Sequence, residues 1–307
     1  MPFHDRLQTL ATIRDWIRYA VSEFRKNNVF YGHGTDNALD EAVALILQTL
    51  HLPYDTPATL YDAVLTFEER ETVDHIIIQR RDQKIPVAYL THEAFFMGLS
   101  FYVDERVLIP RSPIAELIQK EFSPWIEAQH VSNILDLCTG SGCIAIACAE
   151  IFPDAHITAS DISPDALDVA KINTQKYHLQ DQITLIQSDI FESIPPQKFD
   201  IIISNPPYVD KEDMDNLPKE YHHEPITALA AGSDGLDIIK KILIQAKNYL
   251  SDHGILIVET GNSAEALISQ FPHIPFTWLE FEHGDSEVLL LTREQLQLIT
   301  STVIPAS

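Results

Sequence analysis

The sequence predicts an α/β protein: a mostly parallel seven-stranded sheet with an antiparallel edge strand, preceded by a small helical domain and a β-hairpin linker. Three observations carry that expectation. From residue 133 onward, apolar runs alternate with amphipathic stretches, the strand–helix–strand order of a parallel sheet covered by helices on both faces. Before residue 86 the apolar period is three to four throughout, which belongs to helices alone. The 307 residues, 45% of them hydrophobic, can bury a full core, and that length suits roughly two domains of about 150 residues each.

Taken in order, Leu7, Leu10, Ile13, Ile17, Ala20, Val21 and Phe24 mark one face of a helix over 7–24. A second helix is expected over 38–50, with Asp36 or Asn37 as N-cap and a buried side drawn from Leu39, Val43, Ile46, Leu47 and Leu50. Thr66-Phe67-Glu68-Glu69 has capping-box spacing before a helix reaching about Arg81. Residues 1–85 therefore read as a helical domain without a catalytic constellation. Pro86 ends it, and Phe95 to Val103 read as two short strands about a Gly98 turn, the centre of a linker over 86–110. Leu108-Ile109-Pro110-Arg111-Ser112-Pro113 is a rigid approach to a helix starting near Ile114, inside a catalytic domain over 111–300. Strands are expected at 133–138, 156–162, 183–190, 199–205, 254–260, 276–283 and 287–292, and helices around 142–151, 164–177, 235–250 and 262–271. The last two strands are separated only by about Gly284-Asp285-Ser286, too little for a crossover, so they form an antiparallel hairpin. The tail beyond Thr300 is expected to fray.

Composition narrows the partners. With 21 basic against 45 acidic residues, net −24, the chain lacks the basic face that grips nucleic-acid phosphates; the charge permits a basic protein partner or simply favours solubility. No window approaches the ~18 apolar residues of a membrane span. The start, Met1-Pro2-Phe3-His4-Asp5-Arg6, lacks the basic-then-apolar order of a signal peptide, so a cytoplasmic location without membrane attachment is expected. Cys138, Cys143 and Cys148 fit no usual zinc spacing and read as buried thiols.

The chemistry concentrates at predicted strand ends. The apolar run Phe199 to Ser204 stops at Asn205-Pro206-Pro207-Tyr208. Two prolines cannot continue a ladder, which leaves the Asn205 carboxamide, the Pro206 carbonyl and the Tyr208 ring to hold a flat NH2 group. Asp136-Leu137-Cys138-Thr139-Gly140-Ser141-Gly142 joins a strand to a helix, its glycines allowing a tight turn and close ligand approach. Asp161, 19 residues past Gly142, is placed to accept ribose hydroxyls, and Asp189 ends the next strand; ligands of such sheets bind beyond these tips. Gly140 to Ala145 also satisfies the dinucleotide fingerprint. Asp136 could meet an ammonium group, however, and no hydride-transfer acid or base accompanies the fourth strand, which favours S-adenosylmethionine. Arg111 reads either as a surface residue or as lining a substrate channel. Val209 to Ser233 is a long loop of the kind that binds ligands, in which Glu224-Pro225 either shapes the slot or orders the loop. His222 and His223 have no third ligand in register for a metal.

Asp136 to Gly142, Asp161, Asp189 and Asn205 to Tyr208 together resemble the class I methyltransferases that modify planar amino groups with S-adenosylmethionine, over about residues 110–295. The resemblance implies a Rossmann-like catalytic domain. Asn-Pro-Pro-Tyr is shared by enzymes acting on adenine in DNA, guanine in RNA and glutamine in proteins. The helical front half, the hairpin and Val107-Leu108-Ile109-Pro110-Arg111 are similar to the protein glutamine methyltransferases. Tyr102 to Arg106, Arg111-Ser112-Pro113-Ile114, Cys138, and Leu217 to Pro225 resemble the branch acting on the third protein of the large ribosomal subunit; the release-factor branch has Pro-Asp in place of Ser112-Pro113 and Gly in place of Cys138. The resemblance implies cofactor contacts from Cys138, Thr139, Gly140, Ser141, Gly142, Asp161, Asp189 and Ile190. It places glutamine contacts at Asn205, Pro206, Pro207 and Tyr208, with Asn205 serving both ligands, and makes a basic ribosomal protein the partner. Two rival readings are a base-amine methyltransferase for DNA or RNA and a non-catalytic assembly factor that keeps the cofactor fold.

Overall fold

The computed structural model describes residues 3–282 and 287–299; the expected Gly284-Asp285-Ser286 turn and the tail beyond Thr300 lie outside them. The chain divides into two compact units. The first comprises the described residues up to Ala94 with Val103–Glu105 and Pro218–His223; the second comprises Phe95–Tyr102, Arg106–Leu217 and the described residues from Glu224.

The first unit contains α1 (Phe3–Thr9), α2 (Ile13–Lys26), α3 (Ala38–Thr49), α4 (Phe67–Ile78) and α5 (Val87–Thr91) around Trp16, Phe24, Leu45, Ile46 and Ile77. The single helix expected over 7–24 is two. Thr12 Oγ accepts the Asp15 amide at 3.2 Å, while Asp15 Oδ2 accepts the Thr12 amide at 2.9 Å. That capping box satisfies the free donors of a new helix start, so the chain begins α2 there instead of continuing α1. Asn37 caps α3, accepting the Leu39 and Asp40 amides at 2.9 and 3.0 Å, and the Thr66–Glu69 box opens α4 as expected. Leu39, expected inside, is 52% exposed, whereas Glu41 is 3% exposed. The inversion has an electrostatic cause. Arg80, in the π turn Gln79–Gln83 that extends α4, is 1% exposed. Its Nε donates to Glu41 Oε1 at 2.6 Å and its Nη2 to the Phe30 carbonyl at 2.7 Å. Nη1 lies 3.4 Å from Glu220 Oε1, which also accepts the Phe30 amide at 2.9 Å.

The hairpin β1 (Ala94–Phe96) and β2 (Leu99–Phe101) follows, then α6 (Ile114–Gln119), β3 (Asn133–Leu137), α7 (Cys143–Ile151), β4 (His156–Asp161), α8 (Pro164–Lys176), β5 (Ile183–Gln187) and β6 (Phe199–Ser204). The remaining elements are α9 (Lys211–Asn216), α10 (Asp237–Gln245), β7 (Leu250–Glu259), α11 (Ala264–Gln270), β8 (Thr277–Leu279), β9 (Val288–Thr292) and α12 (Arg293–Leu296). The seven-stranded sheet has the order β5-β4-β3-β6-β7-β9-β8. Its neighbours are parallel from β5 to β7, and β9 runs antiparallel to both β7 and β8, leaving β8 at the edge. The helix expected over 235–250 stops at Gln245, and β7 begins at Leu250 because that residue pairs with Phe199 across an irregular register. β5 ends at Gln187, since Ser188 Oγ turns back to the Ile190 carbonyl at 2.9 Å. α9, inside the long loop, is capped by Asp210, which accepts the Asp213 amide at 2.8 Å. Among the described residues no helix is long and apolar enough to cross a membrane.

Candidate active site

The strand order reverses between β3 and β6, where Leu137 pairs with Ser204. The glycine loop and the Asn-Pro-Pro-Tyr motif therefore leave the sheet side by side, at the topological switch point where open α/β sheets bind ligands. Two glycines shape the loop. Gly142 has φ +80°, and a Cβ there would meet the Ala170 Cβ at 3.3 Å, so it permits the close approach of α7 to α8. At Gly140, φ +54°, a Cβ would stand in open space.

Asp161 organises this loop. Its Oδ2 accepts the Gly140 amide and its Oδ1 the Ser163 amide, both at 2.9 Å, and burial raises its pKa. Asp136 lies fully buried beneath the loop. Oδ2 accepts the Thr139 hydroxyl, while Oδ1 is buried with no partner among the described residues. Burial pushes this carboxyl up to about 7, against the opposing hydrogen bond from Thr139. A carboxyl raised above its ordinary value stabilises the fold fully below that value, and the contribution is lost as pH rises through about 7. Asp136→Asn is therefore expected to raise the melting temperature at pH ~8 and leave it nearly unchanged at pH ~4; an equal shift at both would show that ionisation is not the cause.

At the acceptor end, neither the Asn205 carboxamide nor the Pro206 carbonyl has a hydrogen-bond partner among the described residues. Tyr208 is anchored on three sides. Its hydroxyl donates to Glu259 Oε1 at 3.1 Å, its carbonyl accepts Ser263 Oγ at 2.8 Å, and its ring lies against Gly261, where a Cβ would fall 2.3 Å from Cε2. Gly261→Ala, at φ +48°, is expected to cost about 2–3 kcal/mol in chemical denaturation by combining backbone strain with overpacking; a cost below ~0.5 kcal/mol would mean that the ring moves freely. Arg111 and Glu224 form a two-pronged ion pair at 2.6 and 2.8 Å, and Glu224 Oε1 also accepts the Ile109 amide at 3.0 Å. Glu224 thus ties its loop to Ile109 and Arg111, and Arg111 lines the cavity.

That cavity lies within the second unit. Its lining includes Arg111, Cys138, Thr139, Gly140, Ser141, Asp161, Asp189, Ile190, Asn205 and Pro207. Asp136, Gly142, Pro206, Tyr208 and Glu224 are not among the lining residues. Asp189 meets Lys241 Nζ at 2.9 Å.

A family model described as the methyltransferase small domain matches residues 120–268. The chain is 50% identical over 293 residues to the ribosomal protein uL3 glutamine methyltransferase of Francisella tularensis subsp. tularensis, covering 95% of this chain and 93% of that one. To the protein of the same name from Neisseria gonorrhoeae it is 52% identical over 295 residues, covering 96% and 98%. The chain belongs to the uL3 glutamine methyltransferase family. The hMettl16 catalytic domain, solved with the MAT2A 3'UTR hairpin 1, shares the fold at 16% identity and a TM-score of 0.52, with 91% of each chain covered.

In this methyltransferase the three thiols are held neutral: desolvation pushes Cys143 up to about 12 and raises Cys138 and Cys148 well above their ordinary value. Only Cys148 is buried as expected, whereas Cys138 and Cys143 are half-buried and line the cavity. Among the described residues no group of His, Cys, Asp and Glu could hold a metal. The cavity is also lined by Pro225, from the Glu224-Pro225 pair singled out in the sequence, and by Ser112, Ile162, Thr227 and Ala228, to which the sequence reading gave no site role. Ile162 carried the readable signal, an apolar side chain straight after a strand-tip acid, and it is 57% exposed.

Proposed function

We propose that this enzyme transfers a methyl group from S-adenosylmethionine to the side-chain amide nitrogen of a glutamine in ribosomal protein uL3. One observation carries the reading. Two acceptors, the Asn205 carboxamide oxygen and the Pro206 carbonyl, have no partner among the described residues and lie beside a glycine loop that leaves the sheet at the adjacent strand end.

The cavity suits the methyl donor. Open space at Gly140 admits a ligand against the backbone, and the lining carboxylates Asp161 and Asp189 can accept hydroxyl and amine hydrogens. Ile162 and Ile190 offer apolar surface to a flat ring. Ser141 Oγ is buried with no partner among the described residues, a donor or acceptor available to a polar ligand. When bound, S-adenosylmethionine supplies the electrophilic methyl group.

The protein side of the step follows from amide chemistry. A carboxamide nitrogen is a poor nucleophile because its lone pair is delocalised, and deprotonating it first at neutral pH is prohibitive. Asn205 and Pro206 accept its two hydrogens, stabilise the positive charge that develops on nitrogen, and fix its direction of attack. The product nitrogen is strongly acidic and loses its proton to solvent, so no strong base is required. The helical unit serves as the docking surface, and the net charge of −24 steers a basic ribosomal protein towards the enzyme. The setting is the cytoplasm, where the three free thiols stay reduced.

The reading is tested by incubating the enzyme with labelled S-adenosylmethionine and, in separate reactions, purified ribosomal proteins and nucleic acids. Label is expected in uL3. Label confined to nucleic acid would point to a base-amine enzyme, and label in neither would point to a binding module.

A further inference from the structure

The end of β7 carries a buried carboxylate that the transfer step does not use. Glu259, 2% exposed, is the last residue of β7. Its neighbour Val258 pairs with Ser204, so Glu259 sits at the sheet rim beside Asn205. Its two oxygens are divided between two segments. Oε1 accepts the Tyr208 hydroxyl at 3.1 Å, and Oε2 accepts Ser112 Oγ at 2.5 Å. Ser112 lines the cavity, and its Oγ in turn accepts the Ile114 amide at 3.2 Å, tying it to the start of α6.

Taking a carboxylate out of water is costly, and an apolar side chain could fill the same space without that cost. What a carboxylate adds is directional: it holds two hydroxyls at one mutual distance, which packing alone does not specify. Here one hydroxyl belongs to the motif that ends β6, and the other belongs to the Arg111-Ser112 wall, 147 residues from Glu259 in sequence.

We propose that Glu259 is a positioning residue for methyl transfer: by joining Tyr208 to Ser112 it fixes the spacing between the Asn205–Pro207 acceptor segment and the opposite wall of the cavity. The inference rests on the methyltransferase reading of that cavity. Glu259 acts through Tyr208 and Ser112, and its loss lets the acceptor segment drift out of line with the methyl group.

Three variants test it. Tyr208→Phe and Ser112→Ala each remove one hydroxyl, and Glu259→Gln keeps the shape while turning one acceptor into a donor. Initial rates on uL3 give kcat and KM, calorimetry gives the cofactor Kd, and thermal melts report folding. Each hydroxyl deletion is expected to lower kcat about tenfold, and Glu259→Gln about 10- to 100-fold, with the cofactor Kd within about twofold of the parent. In the Glu259→Gln background, neither deletion is expected to add more than about twofold, because the link is already broken. Melting temperatures that fall while kcat stays at the parent value would overturn the proposal, as would losses that multiply independently. Should Glu259→Gln not fold, the two hydroxyl deletions decide alone: unchanged kcat in both overturns the proposal. A parent enzyme that binds cofactor and methylates nothing would instead overturn the transfer reading, and this inference with it.

Discussion

Asn205→Ala is expected to lower kcat for uL3 methylation by about 10²- to 10³-fold while the cofactor Kd changes by less than about tenfold. The asymmetry follows from where the side chain stands. Asn205 follows the last residue of β6, and no described residue engages its carboxamide, so truncation breaks no internal hydrogen bond and leaves folding largely untouched. What disappears is an acceptor for a hydrogen on the attacked nitrogen. That interaction strengthens as positive charge develops, so its loss falls on the transition state more than on bound cofactor. The glycine loop, Asp161 and the rest of the cofactor side remain. Initial rates paired with calorimetry check this; full activity in the variant would mean that the amide clamp lies elsewhere.

Arg80→Ala is expected to destabilise the helical unit by about 3–5 kcal/mol, the usual cost of stripping one partner from a buried ion cluster. The guanidinium is 1% exposed and reaches two carboxylates that are themselves buried, Glu41 and Glu220. Removing it leaves both without their cation, and it also leaves the Phe30 carbonyl without a donor. The cost is expected to shrink in the triple variant Arg80→Met, Glu41→Gln, Glu220→Gln, where none of the three charges of this cluster remains. Urea titrations of the three proteins measure it, and a single-variant loss below ~1 kcal/mol would show that water reaches the cluster. Glu220 belongs to the stretch Pro218–His223, which folds with the helical unit, although it lies between the acceptor motif and Glu224 in sequence.

The contrast between Glu41 and Asn205 shows what local pattern could and could not carry. Asn205, its two prolines and the preceding apolar run encode a strand end within ten residues, and the glycine loop encodes a strand-to-helix turn equally locally. The parallel sheet, the Asn37 cap of α3 and the capping box of α4 were legible for the same reason. Glu41 reads as an exposed helix acid because the residue that buries it, Arg80, lies 39 positions away. Arg111 and Glu224 were both singled out, yet their pairing across 113 residues was not. The Ser112–Glu259 contact went unseen for that reason as well. The break between α1 and α2 was local and was missed because the apolar period runs through it, whereas the Thr12–Asp15 cap decides it.

The central claim is the identity of the methylated atom. Mass spectrometry of uL3 treated with enzyme and S-adenosylmethionine, with fragmentation to locate the modified residue, addresses it directly. The account predicts a single added methyl on the side-chain amide of a glutamine, absent when Asn205→Ala replaces the parent enzyme. A methyl on lysine, arginine or the chain terminus, or unmodified uL3 beside methylated RNA, would contradict it.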